Sequence, residues 1–321
     1  MTEEGNTPKQ TPVVYDGTNA PRRQTPVWLM YIGLTLSTLI AVEAPFLSGI
    51  LFGTILRTLA ERLGSKAFSY AIVTSVLCIF IRGFIALPAG FTILVTSCAA
   101  MGIVRLMWAK KADTTHVAAL IVGVACISIL IDMGYAAASG TTIPEVMVSY
   151  LEQMVSVQTE AVDLETEAIN GLLIDMYALL WPLTYMLSAA MSVAYAALGS
   201  YFTAFSAGKC APVHGLLGYD APLWAVGVLA TSILLMAFGT VPSPVSQILL
   251  TVGLTAAMSV RVIFLMQGFG VVSAKLLNHT GCFMRFFIIS FAFWLEMMFM
   301  IVSIIGLVDI WANFRKLERS K

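Results

Sequence analysis

Charge is what this sequence has least of. Asp, Glu, Lys and Arg make up 11% of its 321 residues, where a soluble domain carries about 25%. Hydrophobic residues make up 59%, and the mean hydropathy is +0.88. So few polar side chains cannot cover an exterior that faces water. A soluble enzyme, a nucleic-acid binder and a disordered chain are excluded on this ground. The two signs balance at 18 each, so no polyanionic partner is indicated. Cysteine is scarce as well. Cys78, Cys98, Cys126, Cys210 and Cys282 form no CxxC pair, and the first three lie in apolar runs, where cysteine packs as a small hydrophobe. There is no GxxxxGK[ST] phosphate loop, no HExxH and no dinucleotide fingerprint after a strand. His116, His214 and His279 stand near loop ends, without a ligand set at metal spacing. No metal, cofactor or nucleotide site is expected.

What remains is apolar run after apolar run. A span needs about 20 such residues. The expected fold is an all-α polytopic transmembrane helix bundle of eight or nine spans over residues 27–312, with the lipid bilayer as its first partner. Residues 27–42 and 45–59 read as two short spans joined at Glu43-Ala44-Pro45, with one kinked span as the alternative. Further spans are placed at roughly 67–87, 89–108, 117–139, 173–203, 222–241, 245–274 and 284–311. Residues 1–26 are polar and proline-rich, and read as a disordered cytosolic tail. The basic tail is 313–321.

The loop at 140–171 holds six acidic residues and no lysine or arginine. Thr142 with Glu145 is a capping-box pattern, and Pro144 suits a first helical turn. Ile143, Met147, Tyr150, Met154, Val157, Ala161, Leu164 and Ala168 then form a seam of period 3.5. An amphipathic helix with an acidic outer face is expected there, either lying over the bundle or pairing with another copy.

Lysine and arginine favour the cytosolic side. With nine spans and a cytosolic N-terminus, Arg22, Arg23, Arg57, Arg62, Lys66, Arg105, Lys110, Lys111, Lys209, Lys275 and Arg285 all fall inside. The C-terminal Arg315, Lys316, Arg319 and Lys321 disagree, unless the last hydrophobic segment is re-entrant.

Ionisable groups in a bilayer are costly and point to function by default. Glu43, Arg82, Asp132 and Asp175 fall at similar depth near the outer face and form the expected solute pocket. Tyr135, Trp181 and Tyr185 supply apolar body. Arg261 and Glu296 fall near the midplane of neighbouring spans and form the expected intramembrane ion pair. Asp132 and Asp175 are the only candidate catalytic dyad, and no enzyme is expected. Gly33, Ser37 and Ala41 recur every four residues and form a helix-docking face, toward this chain or a partner.

Two late motifs carry a resemblance. Leu265-Met-Gln267-Gly268, with Val271-Val272, is followed some thirty residues on by Gly306-Leu-Val-Asp309-Ile-Trp311-Ala-Asn-Phe314-Arg315. This resembles the YybS-like bacterial membrane proteins, a family of unknown function, whose motif would fall on Gln267, Gly268, Gly306, Asp309, Phe314 and Arg315. That family is similar in its N-terminal half to the substrate-binding S components of energy-coupling factor transporters. The resemblance implies a bacterial cytoplasmic membrane protein that binds a small solute from outside. It also implies separate ATPase and coupling subunits that would dock on the Gly33, Ser37, Ala41 face. The alternative is a membrane scaffold or envelope-assembly protein, with the 143–170 helix as its contact surface.

Overall fold

A computed structural model describes residues 26–146, 148, 164–206, 218–242, 245–276 and 282–317. Among the described residues there is no strand. The helices are α1 (Val27–Leu39), α2 (Pro45–Leu63), α3 (Lys66–Ile85), α4 (Leu87–Trp108) and α5 (Thr114–Ala138). They continue as α6 (Leu164–Ser206), α7 (Leu223–Gly239), α8 (Ser246–Lys275), α9 (Cys282–Phe299) and α10 (Ile301–Ala312). Pro45 and Pro88 stand in the first turns of α2 and α4, where a missing N–H costs nothing. The N-terminal tail and most of the acidic 143–170 segment lie outside the described residues.

The first six helices pack around Leu34, Phe52, Leu56, Leu59, Val104 and Val193. Helix α6 runs beside α2 in the same direction, with Tyr195 edge-on to Phe46 at 4.9 Å. Helices α7, α8 and α10 form a second unit around Ala225, Val260, Phe264 and Ile310. The two units meet where α6 packs on α8, and where Trp224 Nε1 donates to Thr115 Oγ1 at 3.1 Å. Much of the outer surface is bare hydrocarbon. Phe80, Phe84 and Ile85 are 72, 96 and 74% exposed, which suits lipid and not water. The chain is a helical membrane-embedded protein.

The span count differs from the expectation of eight or nine. Among the described residues, five helices are long and apolar enough to cross a bilayer: Lys66–Ile85, Leu87–Trp108, Thr114–Ala138, Leu179–Ala204 and Ser246–Lys275. Helix α1 ends at Leu39, and its 13 residues reach only about 20 Å against a core of about 30 Å. Helix α2 carries Arg57, Glu61 and Arg62 near its end. Helix α7, at 17 residues, is also short. The polar loop expected up to residue 171 is, from Leu164, helix continuous with the next span.

The expected last span is not straight. It breaks at Met300, which has left-handed backbone angles, and its halves diverge by 93°. Counted as one bent span, it brings the total to six. Helix α10 folds onto α8 so closely that a Cβ at Gly306 would run into Phe264 O, and one at Gly268 into Val302 O. Small residues at such a crossing let two backbones touch. The fold-back sets Arg315 against Asp309, which is bonded to Gln267. Gln267 in turn accepts from Ala221 N at the start of α7, next to Trp224 and Thr115. Arg315 thus lies toward the bundle end that carries Lys110 and Lys111, as the charge pattern asks and nine straight spans forbid.

Candidate functional site

A cavity of about 690 Å³ opens between α4, α5, α6 and the turn at 143–146. Three helices supply it with polar groups in the same way, each by residues four apart on one face. Helix α4 gives Thr92 and Thr96, α5 gives Ser128 and Asp132, and α6 gives Thr184, Ser188 and Ser192. Phe91, Tyr135 and Tyr185 add aromatic walls. The floor stripes went unused in the sequence reading, although hydroxyls at a spacing of four inside apolar helices were visible there.

Asp132 is the only charged residue on the cavity wall among the described residues. Its carboxylate accepts from Tyr185 Oη at 2.6 Å, and Trp181 stands edge-on to Tyr185 with ring centroids 5.9 Å apart. The helical turn at 143–146 opens on part of the expected cap. Glu145 accepts from Thr142 N at 2.8 Å, one arm of the capping box.

The expected four-residue pocket is divided. Glu43 and Arg82 do not line the cavity. They pair with each other where the α1–α2 turn meets the end of α3, and Arg82 Nη2 also donates to Leu39 O at 3.0 Å. Arginine at this place satisfies a helix-end carbonyl and a carboxylate together. Backbone hydrogen bonding in its own turn, then the Arg82 guanidinium, hold the Glu43 carboxyl below its ordinary range. Asp175 lies on α6, and its side chain is outside the described residues, so the Asp132–Asp175 dyad is not assembled by anything described.

The Gly33, Ser37, Ala41 face turns inward. Gly33 faces Ile55 of α2, so that a Cβ there would stand 3.0 Å from Ile55 Cδ1. Ser37 and Ala41 are buried, and Ala41 packs with Cys78 of α3 and Ile93 of α4. The small residues serve packing within this chain, and no docking surface for a coupling subunit is left on them.

The remaining residues assemble in the second unit. Arg261 Nη2 stands 2.6 Å from Glu296 Oε1, and Arg261 also donates to Glu296 O at 2.9 Å. Sequence reasoning missed the third member. Ser303 donates its N–H (2.9 Å) and its hydroxyl (2.6 Å) to the Glu296 carboxylate. Glu296 therefore caps α10 from across the Met300 break.

Gln267, Gly268, Gly306, Asp309, Phe314 and Arg315 come to one place. Asp309 and Gln267 are fully buried. Asp309 accepts from Gln267 Nε2 (2.8 Å), Phe314 N (2.8 Å) and Arg315 Nη2 (2.9 Å). Gln267 Oε1 takes the Ala221 N–H at 2.9 Å. Gly268 and Gly306 provide the close crossing that makes these bonds short. The two motifs, forty residues apart in sequence, are two sides of one clasp.

At the start of α5, the exposed Asp113 contacts His116 one turn on, and that partner holds the Asp113 carboxyl below its ordinary range. Among the described residues no group of three metal-ligating side chains occurs. Comparison with family models, with curated proteins and with solved structures finds no match to this chain.

Proposed function

We propose that this protein binds a small solute in the cavity between α4, α5 and α6, as a multi-pass protein of the bacterial cytoplasmic membrane resembling the YybS-like family. The observation that carries the reading is the convergence of three polar stripes, each of residues spaced four apart, on one space of about 690 Å³. Ligand pockets span about 300–1,000 Å³ and combine apolar walls with a few placed polar groups. Such groups are costly in a bilayer unless they are used. The basic residues gather at the opposite end of the bundle, so the positive-inside rule turns the cavity outward. Coupling to ATPase and transmembrane subunits through Gly33, Ser37 and Ala41 is not part of the proposal, because α2, α3 and α4 cover that face.

Native mass spectrometry of the full chain in mild detergent tests this. A small stoichiometric adduct is expected on the natural chain. It should be lost or weakened in Ser188→Trp, whose indole occupies part of the cavity among the polar stripes. Spectra that carry the same adduct in both proteins, or none in either, overturn the reading.

A further inference from the structure

Four of the six Ser and Thr hydroxyls on the cavity wall face it as acceptors. Thr92 Oγ1 donates to Pro88 O at 3.1 Å, and Thr96 Oγ1 to Thr92 O at 2.9 Å. Ser128 Oγ donates to Val124 O at 3.0 Å, and Thr184 Oγ1 to Trp181 O at 2.7 Å. A hydroxyl has one proton and two lone pairs. Each of these protons is spent on the hydroxyl's own helix, so what faces the cavity is lone pairs. The Tyr185 proton is spent on Asp132 Oδ2, which leaves Oδ1 to accept. Helical N–H groups are already bonded along their own helices. Among the described residues no lysine, arginine, histidine, asparagine or glutamine lines the space. An anion would meet a carboxylate and, for donors, only the hydroxyls of Tyr135, Ser188 and Ser192. A donor-rich cation would meet that carboxylate, several acceptor oxygens and the faces of Tyr135 and Tyr185.

We infer that the cavity is selective for organic ammonium ions with an apolar or aromatic body, the ammonium on Asp132 Oδ1 and the body against Phe91 and the tyrosines. The inference rests on the solute-binding reading above and names its ligand class. The charge nearest the cavity agrees: Asp132 on its wall and Glu145, next to the lining residue Val146, are both acidic. A field of one sign raises the local concentration of the opposite charge.

Three probes of one shape test it: 2-phenylethylammonium, 2-phenylethanol and phenylacetate, titrated calorimetrically into the detergent-solubilised full chain. The ammonium is expected to bind about tenfold or more tighter than the alcohol, the size of a charge-assisted hydrogen bond, and phenylacetate more weakly than either. Asp132→Asn, an isosteric change at an exposed position, should bring the ammonium to the level of the alcohol and leave the alcohol unchanged. Alcohol binding that Ser188→Trp abolishes or weakens, without ammonium preference, overturns the cation inference and leaves solute binding standing. Phenylacetate binding as tightly as the ammonium does the same. An ammonium preference that survives Asp132→Asn removes the assigned residue and the inference with it. If none of the three probes binds, both readings fall together.

Discussion

The two helical units use polar residues in opposite ways. Around α4–α6, hydroxyls are tied back to their own helices, and one carboxylate keeps an oxygen for something else. Around α8 and α10, every polar side chain of the clasp reaches another segment: Gln267 to Ala221, Asp309 to Gln267 and Arg315, Glu296 to Arg261 and Ser303. The first pattern leaves a space. The second closes one. Charge on the helices of this protein is therefore of two kinds, and stability and binding should separate when each is altered.

The largest effect is expected at Asp309. Arg315 is 1% exposed and Asp309 not at all. Asp309→Asn keeps the shape and takes the carboxylate out of a buried ion pair, which costs about 3–5 kcal/mol. Thermal unfolding in detergent should show it as a large drop in midpoint. The double variant Asp309→Asn with Arg315→Leu should recover part of the loss, since it removes the other buried charge of the pair. A neutral Asp309→Asn would break the comparison, because the clasp would then be ornament.

Next is Gly306→Val. Its Cβ would run into Phe264 O, part of the facing helix backbone, which cannot rotate away as a side chain would. Overpacking costs about 1–3 kcal/mol and occasionally more, and a backbone clash belongs at the upper end. Cys-scanning of α10 against α8 should show the crossing widened. An unchanged crosslinking pattern would mean that the close approach is not needed. Ser303→Ala comes after it, at about 1 kcal/mol, since it removes one bond to a carboxylate and leaves the backbone N–H and Arg261 in place.

The division between the units also marks what was legible in the sequence. Helical class and membrane residence follow from composition alone. The Arg261–Glu296 juxtaposition was visible because two opposite charges at matched depth have few other partners. The motif residues were recognisable as a set, but their purpose was not, because it depends on the break at Met300 that folds α10 onto α8. Nothing local marks that break. Met300 is neither glycine nor proline, and the bonds that span it run from Ser303 back to Glu296. The length of α1 was misjudged for a related reason. Hydropathy runs through Ile40–Val42, while the backbone has already turned. Glu43 and Arg82 were placed level with Asp132, yet they pair with each other and stay off the cavity wall, since depth along a helix says nothing of azimuth. Asp132 was identified as a pocket residue. The hydroxyl stripes beside it were missed because Ser and Thr in membrane helices ordinarily satisfy themselves, as four of them do here.

The smallest expected change in stability is the one that sharpens the comparison most. Asp132 is exposed and makes one bond, from Tyr185. Asp132→Asn keeps an acceptor for that hydroxyl and buries no new group, so the unfolding midpoint should move by no more than about 0.5 kcal/mol equivalent. The same chemical change, Asp to Asn, is made at Asp309 with an expected cost several times larger. In a single-purpose bundle the two would differ only by burial. Here they should also differ in kind: Asp309→Asn lowers the midpoint and leaves ammonium selectivity intact in the fraction that stays folded, whereas Asp132→Asn leaves the midpoint and removes the selectivity. A substantial stability loss at Asp132 would mean that the carboxylate holds α5 to α6 through Tyr185, and that the cavity is a by-product of packing and not a place kept for a solute.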